Sequence, residues 1–169
     1  PSVDQFEWIG TAGSDEPYSV NALALDGDDR IWAGTDSGLY RLTEDRKRLV
    51  IVSNVCPEPV SGYLEVRGLF MDRGDGSLWI AAGADGLFRG TVPDISFESL
   101  RLDSSVRANV RTVFVDSDGI VWVGTDGQGL FRLDPDSRAV SRFVRDPLKP
   151  HSISYNEITS ILEDRSGLL

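Results

Sequence analysis

The chain has 169 residues, 40% hydrophobic and 26% charged, a balance that suits a folded globular chain and not a disordered one. Its 17 Lys and Arg against 27 Asp and Glu leave a formal net charge of −10, which disfavours binding to nucleic-acid phosphates or anionic lipid and serves solubility first. The single cysteine, Cys56, permits no intrachain disulfide, and no apolar run reaches the length of a membrane span. Any membrane anchoring is therefore expected through parts of a parent chain that this sequence does not include.

In chain order, residues 5–10 (QFEWIG) have the aromatic and apolar character of an outer strand and are predicted to close a preceding unit. Val20 opens an inner strand that ends on Asp26, followed by an Asp- and Gly-rich turn, a second strand centred on Trp32 that runs into Gly34-Thr35, a third strand at Leu39-Tyr40-Arg41, and an outer strand over 49–53. The same grammar restarts at Val66 and reaches Asp72, but its turn is one residue longer before Trp79, and Ala81-Ala82 stand where the first copy reads Gly-Thr. Its third and outer strands are predicted at Leu87-Phe88-Arg89 and over 97–103. A third copy runs from Val110 to Asp116, turns at Gly119, passes Trp122 and Gly124-Thr125, and closes with Leu130-Phe131-Arg132 and residues 139–145. Ile158 opens a fourth copy that reaches Asp164, and its tryptophan position would fall just past Leu169, so the chain reads as a fragment of a longer one.

The residues before each Asp are mostly apolar (Leu23 to Leu25, Leu69 to Met71, Val113 to Val115), as in strands covered on both faces. Asp folds its carboxylate onto its own backbone and Gly supplies positive φ, so the segments after the Asp read as hairpins. Tryptophans spaced 47 and 43 residues apart, with about four short strands per period, point to propeller blades. The predicted fold is all-β: a partial β-propeller of radially arranged antiparallel blades, one fragment of a single domain over 1–169. Full blades are predicted at 20–53, 66–103 and 110–145, with partial-blade strands at 5–10 and 158–169. Asp26, Asp72, Asp116, Asp164, Trp32, Trp79, Trp122, Gly34, Gly119 and Gly124 mark the structural repeat. The linkers over 54–65, 104–109 and 146–157 cross one face together with the turns between second and third strands, which is where binding is expected.

No residue set stands out as catalytic, cofactor-binding or metal-ligating. Asp116-Ser117-Asp118-Gly119 has the opening of a calcium loop without the closing Glu, and its copies keep no ligand set, so the Asp residues are read as turn formers. His151 is the only histidine, and with Cys56 as the one cysteine and no second histidine there is no set to complete a zinc site or a nucleophilic triad. Glu157 and Glu163 flank an inner strand and could face a central channel. Trp32, Trp79, Trp122, Tyr40, Phe88 and Phe131 hold fixed places in the repeat and are assigned to packing between blades. Trp8, Tyr63 and Tyr155 fall outside the repeated positions and are candidates for exposed contacts.

The stretch over 116–130 (DSDGIVWVGTDGQGL) resembles the two-component regulator propeller repeat, whose inner strand ends in an acidic pair before a Gly-x-Leu/Ile-Trp-Ile/Val-Gly-Thr strand and a glycine turn. The lead-in over 146–169 is similar to that family's approach to its next unit, and the second copy departs most from the pattern. The resemblance implies a periplasmic sensing region of a membrane-bound bacterial regulator, a hybrid histidine kinase or a diguanylate cyclase, that binds an unknown small molecule, glycan or protein on the loop face. It implies no enzymatic activity for this stretch of chain. The alternatives are a propeller lyase or hydrolase with an active site in the channel, and a cytoplasmic scaffold for protein assembly. Open blade flanks also lead to an expectation of self-association.

Overall fold

The computed structural model of the chain describes residues 9–11, 19–52, 64–92, 96–102 and 108–169. These contain strands and turns and no helix, so no helix among them is long and apolar enough to cross a membrane. After a short strand β1 (Gly10–Thr11), three antiparallel meanders follow in sequence. The first consists of β2 (Val20–Leu25), β3 (Ile31–Thr35), β4 (Gly38–Leu42) and β5 (Arg48–Ile51). The second consists of β6 (Gly68–Met71), β7 (Ser77–Ala81), β8 (Leu87–Thr91) and β9 (Ser96–Leu100). The third consists of β10 (Val110–Val115), β11 (Val121–Thr125), β12 (Leu130–Leu133) and β13 (Val140–Phe143). Trp32, Trp79 and Trp122 thus lie in three separate sheets, each on the second strand of its own meander.

The sheets stack face to face, with the inner strands β2, β6 and β10 following one another as neighbours. One apolar cluster joins Trp32 and Leu39 of the first sheet to Val66, Leu78, Ile80 and Phe88 of the second. Another joins Trp79, Ala81 and Leu87 of the second sheet to Val110, Val113, Val121 and Phe131 of the third. The second sheet is covered on both sides, and every residue of β7 is buried. Such coverage removes the usual polar alternation, because each large apolar side chain taken out of water contributes about 1.5–3 kcal/mol. The molecule is all-β, and its open stack of sheets is a partial propeller.

Backbone hooks join successive units. The N–H of Val66 donates to Thr35 O (2.8 Å), that of Val110 to Gly83 O (2.8 Å), and that of Ile158 to Thr125 O (2.9 Å). This close approach explains the strand glycines: a Cβ on Gly34 would lie 2.3 Å from Val66 Cγ1, and one on Gly124 would lie 2.7 Å from Ile158 Cγ2. The second blade meets the constraint differently. Its register pair Gly68 and Ala81 carries glycine on the inner strand, whereas Ala22–Gly34 and Thr112–Gly124 carry it on the second strand. The first and third sheets have a register shift beside that pair, while the β6–β7 ladder runs without one.

Two segments depart from the sequence reading. Gly10–Thr11 pairs in parallel with β5, Gly10 opposite Arg48, and forms the outer edge of the first sheet. An outer strand leaves a row of backbone groups unpaired, and β1 takes up part of that row. Residues 5–8 lie outside the described residues. Over 158–169 the chain forms no strand ladder: the Asp126–Glu157 bridge leads into it, Ile158 N–H hooks onto Thr125 O, and Glu163 accepts the N–H and hydroxyl of Ser117 in the β10–β11 turn. The turn at its end is nonetheless formed, with Gly167 N–H donating to Asp164 O (3.1 Å) and Asp164 N–H to Leu168 O (2.8 Å).

Candidate functional site

Each blade has two ends, and the repeat builds them from different chemistry. At one end the inner strand stops at an aspartate. Asp26 Oδ1 accepts the N–H groups of Asp28 and Arg30, both at 2.9 Å, while its Oδ2 accepts the indole N–H of Trp32 at 2.9 Å. Asp116 repeats the arrangement with Asp118 N–H (3.0 Å), Ile120 N–H (2.9 Å) and Trp122 Nε1 (2.6 Å). Asp164 holds Ser166 N–H (2.8 Å) and Leu168 N–H (3.0 Å). Burial pushes the Asp26 carboxyl up, but the bonds from Trp32, Arg30 and Asp28 outweigh it and hold it below the usual carboxylate value. These carboxylates serve turn closure, and among the described residues no three acidic, His or Cys side chains converge as a metal-ion site.

The second blade breaks this pattern at one point. Its longer turn leaves Asp72 Oδ1 accepting Gly74 N–H (2.8 Å) and moves the next carboxylate, Asp75, onto Ser77 N–H (2.8 Å) and Arg89 (2.5 Å). Neither reaches the indole of Trp79, whose Nε1 is buried without a hydrogen-bond partner. Arg89 lies over the Trp79 ring at 5.2 Å, as Arg41 lies over that of Trp32 at 5.9 Å.

The other end is the loop face. Thr35 and Thr125 close its turns by donating their hydroxyls to Gly38 O (3.0 Å) and Gly129 O (2.6 Å), and Ala82 in the second blade has no such group. Across this face runs a chain of ion pairs: Arg67 meets Glu65 (3.0 Å) and Asp126 (3.6 Å), and Arg111 meets Asp126 (3.9 Å) and Glu157 (2.9 Å). Arg67 and Arg111 hold the same place in successive blades, immediately after Val66 and Val110, where the first blade has Asn21 donating to Val66 O (3.0 Å). The side chains stay partly exposed, 27% for Arg67, 40% for Arg111 and 39% for Asp126, so each pair contributes at most about 1 kcal/mol and stays open to exchange with a polar ligand. The sequence reading did not single out Arg67, Arg111 or Asp126; the signal available was arginine recurring at one position of the repeat.

Of the singled-out residues, Glu157 lies on the loop face, while Glu163 lies at the aspartate end, where it accepts Ser117 N–H (2.8 Å) and Ser117 Oγ–H (2.6 Å). The two carboxylates are therefore not brought together. His151 is exposed, and Tyr155 is exposed beyond the repeat. Trp32, Trp79, Tyr40, Phe88 and Phe131 are buried, whereas Trp122, on the flank of the last sheet, is only half-buried and stacks on Phe143 at 6.0 Å. Asp72, Gly119 and the remaining repeat positions sit in the turns and strands described above. Trp8, Cys56, Tyr63 and most of the linkers over 54–65 and 104–109 lie outside the described residues.

Residues 105–127 match the family described as the two-component regulator propeller. A comparison with curated proteins gives no match. Among solved structures, the chain is similar to the extracellular domain of BT4673 of B. thetaiotaomicron, assigned in one structure to a one-component system and in another to a hybrid two-component system. In the first, the TM-score is 0.77 at 20% identity, over 88% of this chain and 19% of that one. The extracellular domain of BT3049, assigned to a hybrid two-component system of the same organism, gives 0.60 at 18% identity over 73% and 18% of the two chains. Virginiamycin B lyase from Staphylococcus aureus gives 0.55 at 16% identity over 74% and 40%. At these identities the likeness establishes the propeller fold, and this chain spans about a fifth of the length of the BT4673 and BT3049 chains. The residues matched by the two-component regulator propeller family include the inner and second strands, β10 and β11, of the third blade.

Proposed function

We propose that the chain is part of a non-enzymatic sensing module: an arc of propeller in the extracytoplasmic, periplasmic region of a bacterial membrane-bound signalling protein, binding its ligand or partner on the loop face. The observation that carries this reading is the sharing of Asp126 by Arg67 and Arg111, which places exchangeable charged donors and acceptors of two successive blades side by side. The regulator-propeller repeat over 105–127 and the likeness to extracellular domains of signalling systems support it.

A polar ligand that takes a guanidinium from Asp126 also alters the grip of Arg111 on Glu157, which belongs to the lead-in of the following unit. Binding is thereby coupled to the contact between units, and a ligand shifts that equilibrium by the difference in its affinity for the two arrangements. The downstream output on this reading is a kinase or a diguanylate cyclase domain of the parent chain. A channel lyase or hydrolase would need an acid and a base within reach of one substrate, and Glu157 and Glu163 sit at opposite ends of the blades.

The test is a thermal-shift and calorimetric screen of the chain against oligosaccharides, metabolites and periplasmic extracts fractionated by size, repeated with Arg111→Ala and Asp126→Ala. A saturable ligand whose binding falls in both variants is expected. Turnover of a bound compound, or binding indifferent to both substitutions, would overturn the proposal.

A further inference from the structure

An outer strand has one ladder neighbour and one free edge, and the first blade shows what such an edge takes up. There β1 adds in parallel to β5, Gly10 opposite Arg48 and Thr11 opposite Leu49. Thr43 N–H donates to Arg48 O (2.8 Å), and bonded and unbonded pairs alternate along an antiparallel ladder, so the backbone groups of Leu49 point away from β4 and towards β1. The charges on the two sides are complementary. Residues 1–16 carry Asp4, Glu7, Asp15 and Glu16 and no Lys or Arg, whereas β5 is entered through Arg46, Lys47 and Arg48, all exposed.

The third blade offers the same edge with no strand paired to it among the described residues. Asp134 N–H donates to Ala139 O (2.9 Å), so the backbone groups of Val140 and Arg142 point away from β12. In a chain of net charge −10, residues 137–145 hold three arginines and no acid, and Arg138, Arg142 and Arg145 are all exposed. Arg142 is anchored through its Nε, which donates to Gln128 O (2.8 Å). Arg138 pairs with Glu98 (3.3 Å), but these side chains are 68% and 50% exposed, so the pair is weak and yields to a competing carboxylate. The outer strand of the second blade carries Glu98 at its centre, which opposes an acidic neighbour. We propose that the free edge of β13 takes up an extended acidic segment of a partner protein as an added strand. Main-chain bonds at Val140 and Arg142 set its register, and the arginines select its acidic sequence.

The probe is a synthetic peptide with the sequence of residues 4–16, DQFEWIGTAGSDE, added to the full chain. Hydrogen–deuterium exchange read by NMR should show saturable protection of the Val140 and Arg142 amides, with the amides of β9 unchanged. The same peptide with Asn or Gln at its four acidic positions should bind roughly tenfold more weakly or worse at low salt. Val140→Pro removes an outward N–H and leaves the β12–β13 ladder its bonds, so it should abolish the protection. Arg138→Asn with Arg145→Gln should keep the melting temperature and weaken binding by a similar factor. The proposal is overturned if these amides show no saturable protection, if protection falls on β5 or β9 in place of β13, if the neutral peptide binds as tightly, or if either variant binds as the parent chain does. None of these outcomes bears on the loop face, because the edge of β13 lies on the outer rim of its sheet.

Discussion

Trp122 donates its indole N–H to Asp116 across 2.6 Å, spanning the turn that joins β10 to β11. One carboxylate therefore satisfies two turn amides and the only polar atom of a large apolar side chain. The fixed interval between Asp and Trp in the first and third copies follows from this geometry, and one added residue in the second copy suffices to lose it.

Substituting the tryptophans separates bonded from unbonded indoles. Trp32→Phe removes the donor to Asp26 Oδ2, a buried carboxylate, and should cost about 1–3 kcal/mol beyond the lost packing. Trp79→Phe breaks no hydrogen bond and should cost less by about that amount. Urea unfolding of the two variants checks the order, and equal or reversed losses would contradict it.

The acid dependence of stability has a defined sign. Asp26, Asp75 and Asp164 have carboxyls held below their ordinary value in the folded chain: at Asp26 and Asp75 hydrogen bonds outweigh a burial effect of opposite sign, and at Asp164 the Ser166 hydroxyl leads. A folded value below the unfolded one means that the unfolded chain binds more protons in that window. Their contribution is complete above the unfolded value and is lost as pH falls through the folded values. Urea midpoints measured from about pH 6 down to about pH 2 should decline most steeply below about pH 4, and Asp26→Asn should make the decline shallower.

Gly34→Ala should destabilise the chain by about 1–3 kcal/mol, because the added Cβ meets Val66 of the next blade at 2.3 Å. Gly124→Ala should behave alike, through Thr112 and Ile158. Gly27→Ala, where a Cβ meets nothing, is the control. Chemical denaturation of the three variants gives the ranking.

The chain as given should self-associate. On the open flank, Val20, Leu23 and Leu25 are 50%, 66% and 43% exposed, whereas their equivalents Val110, Val113 and Val115 in the third blade are 0%, 5% and 7% exposed. A flank of this kind suits a second copy seated blade against blade. Sedimentation velocity should show a concentration-dependent association that Leu23→Lys with Leu25→Lys abolishes. A monomer at every concentration would contradict it.

The sequence revealed what repeats. The apolar triplets before Asp26, Asp72 and Asp116, the tryptophan intervals and the glycine turns gave the order of strands within the three meanders, because each is a local consequence of hairpin geometry. The parallel pairing of Gly10 with Arg48 was not legible, since two residues at a sheet edge carry no periodic pattern. Nor was the Arg67–Asp126–Arg111 chain, which joins residues far apart in sequence through the stacking of blades. The extra residue before Trp79 was visible, but its consequence depends on where the Asp72 and Asp75 carboxylates point, which only coordinates give.

The central claim, that these sheets are stacked blades and not parts of one continuous sheet, is tested most directly by nuclear Overhauser contacts across the blade boundaries. The account predicts strong cross-peaks from Gly34 Hα to a Val66 γ-methyl and from Gly124 Hα to the Ile158 γ2-methyl, matching the close approaches at both glycines. Absence of both, with each glycine seeing protons of its own meander alone, would contradict it.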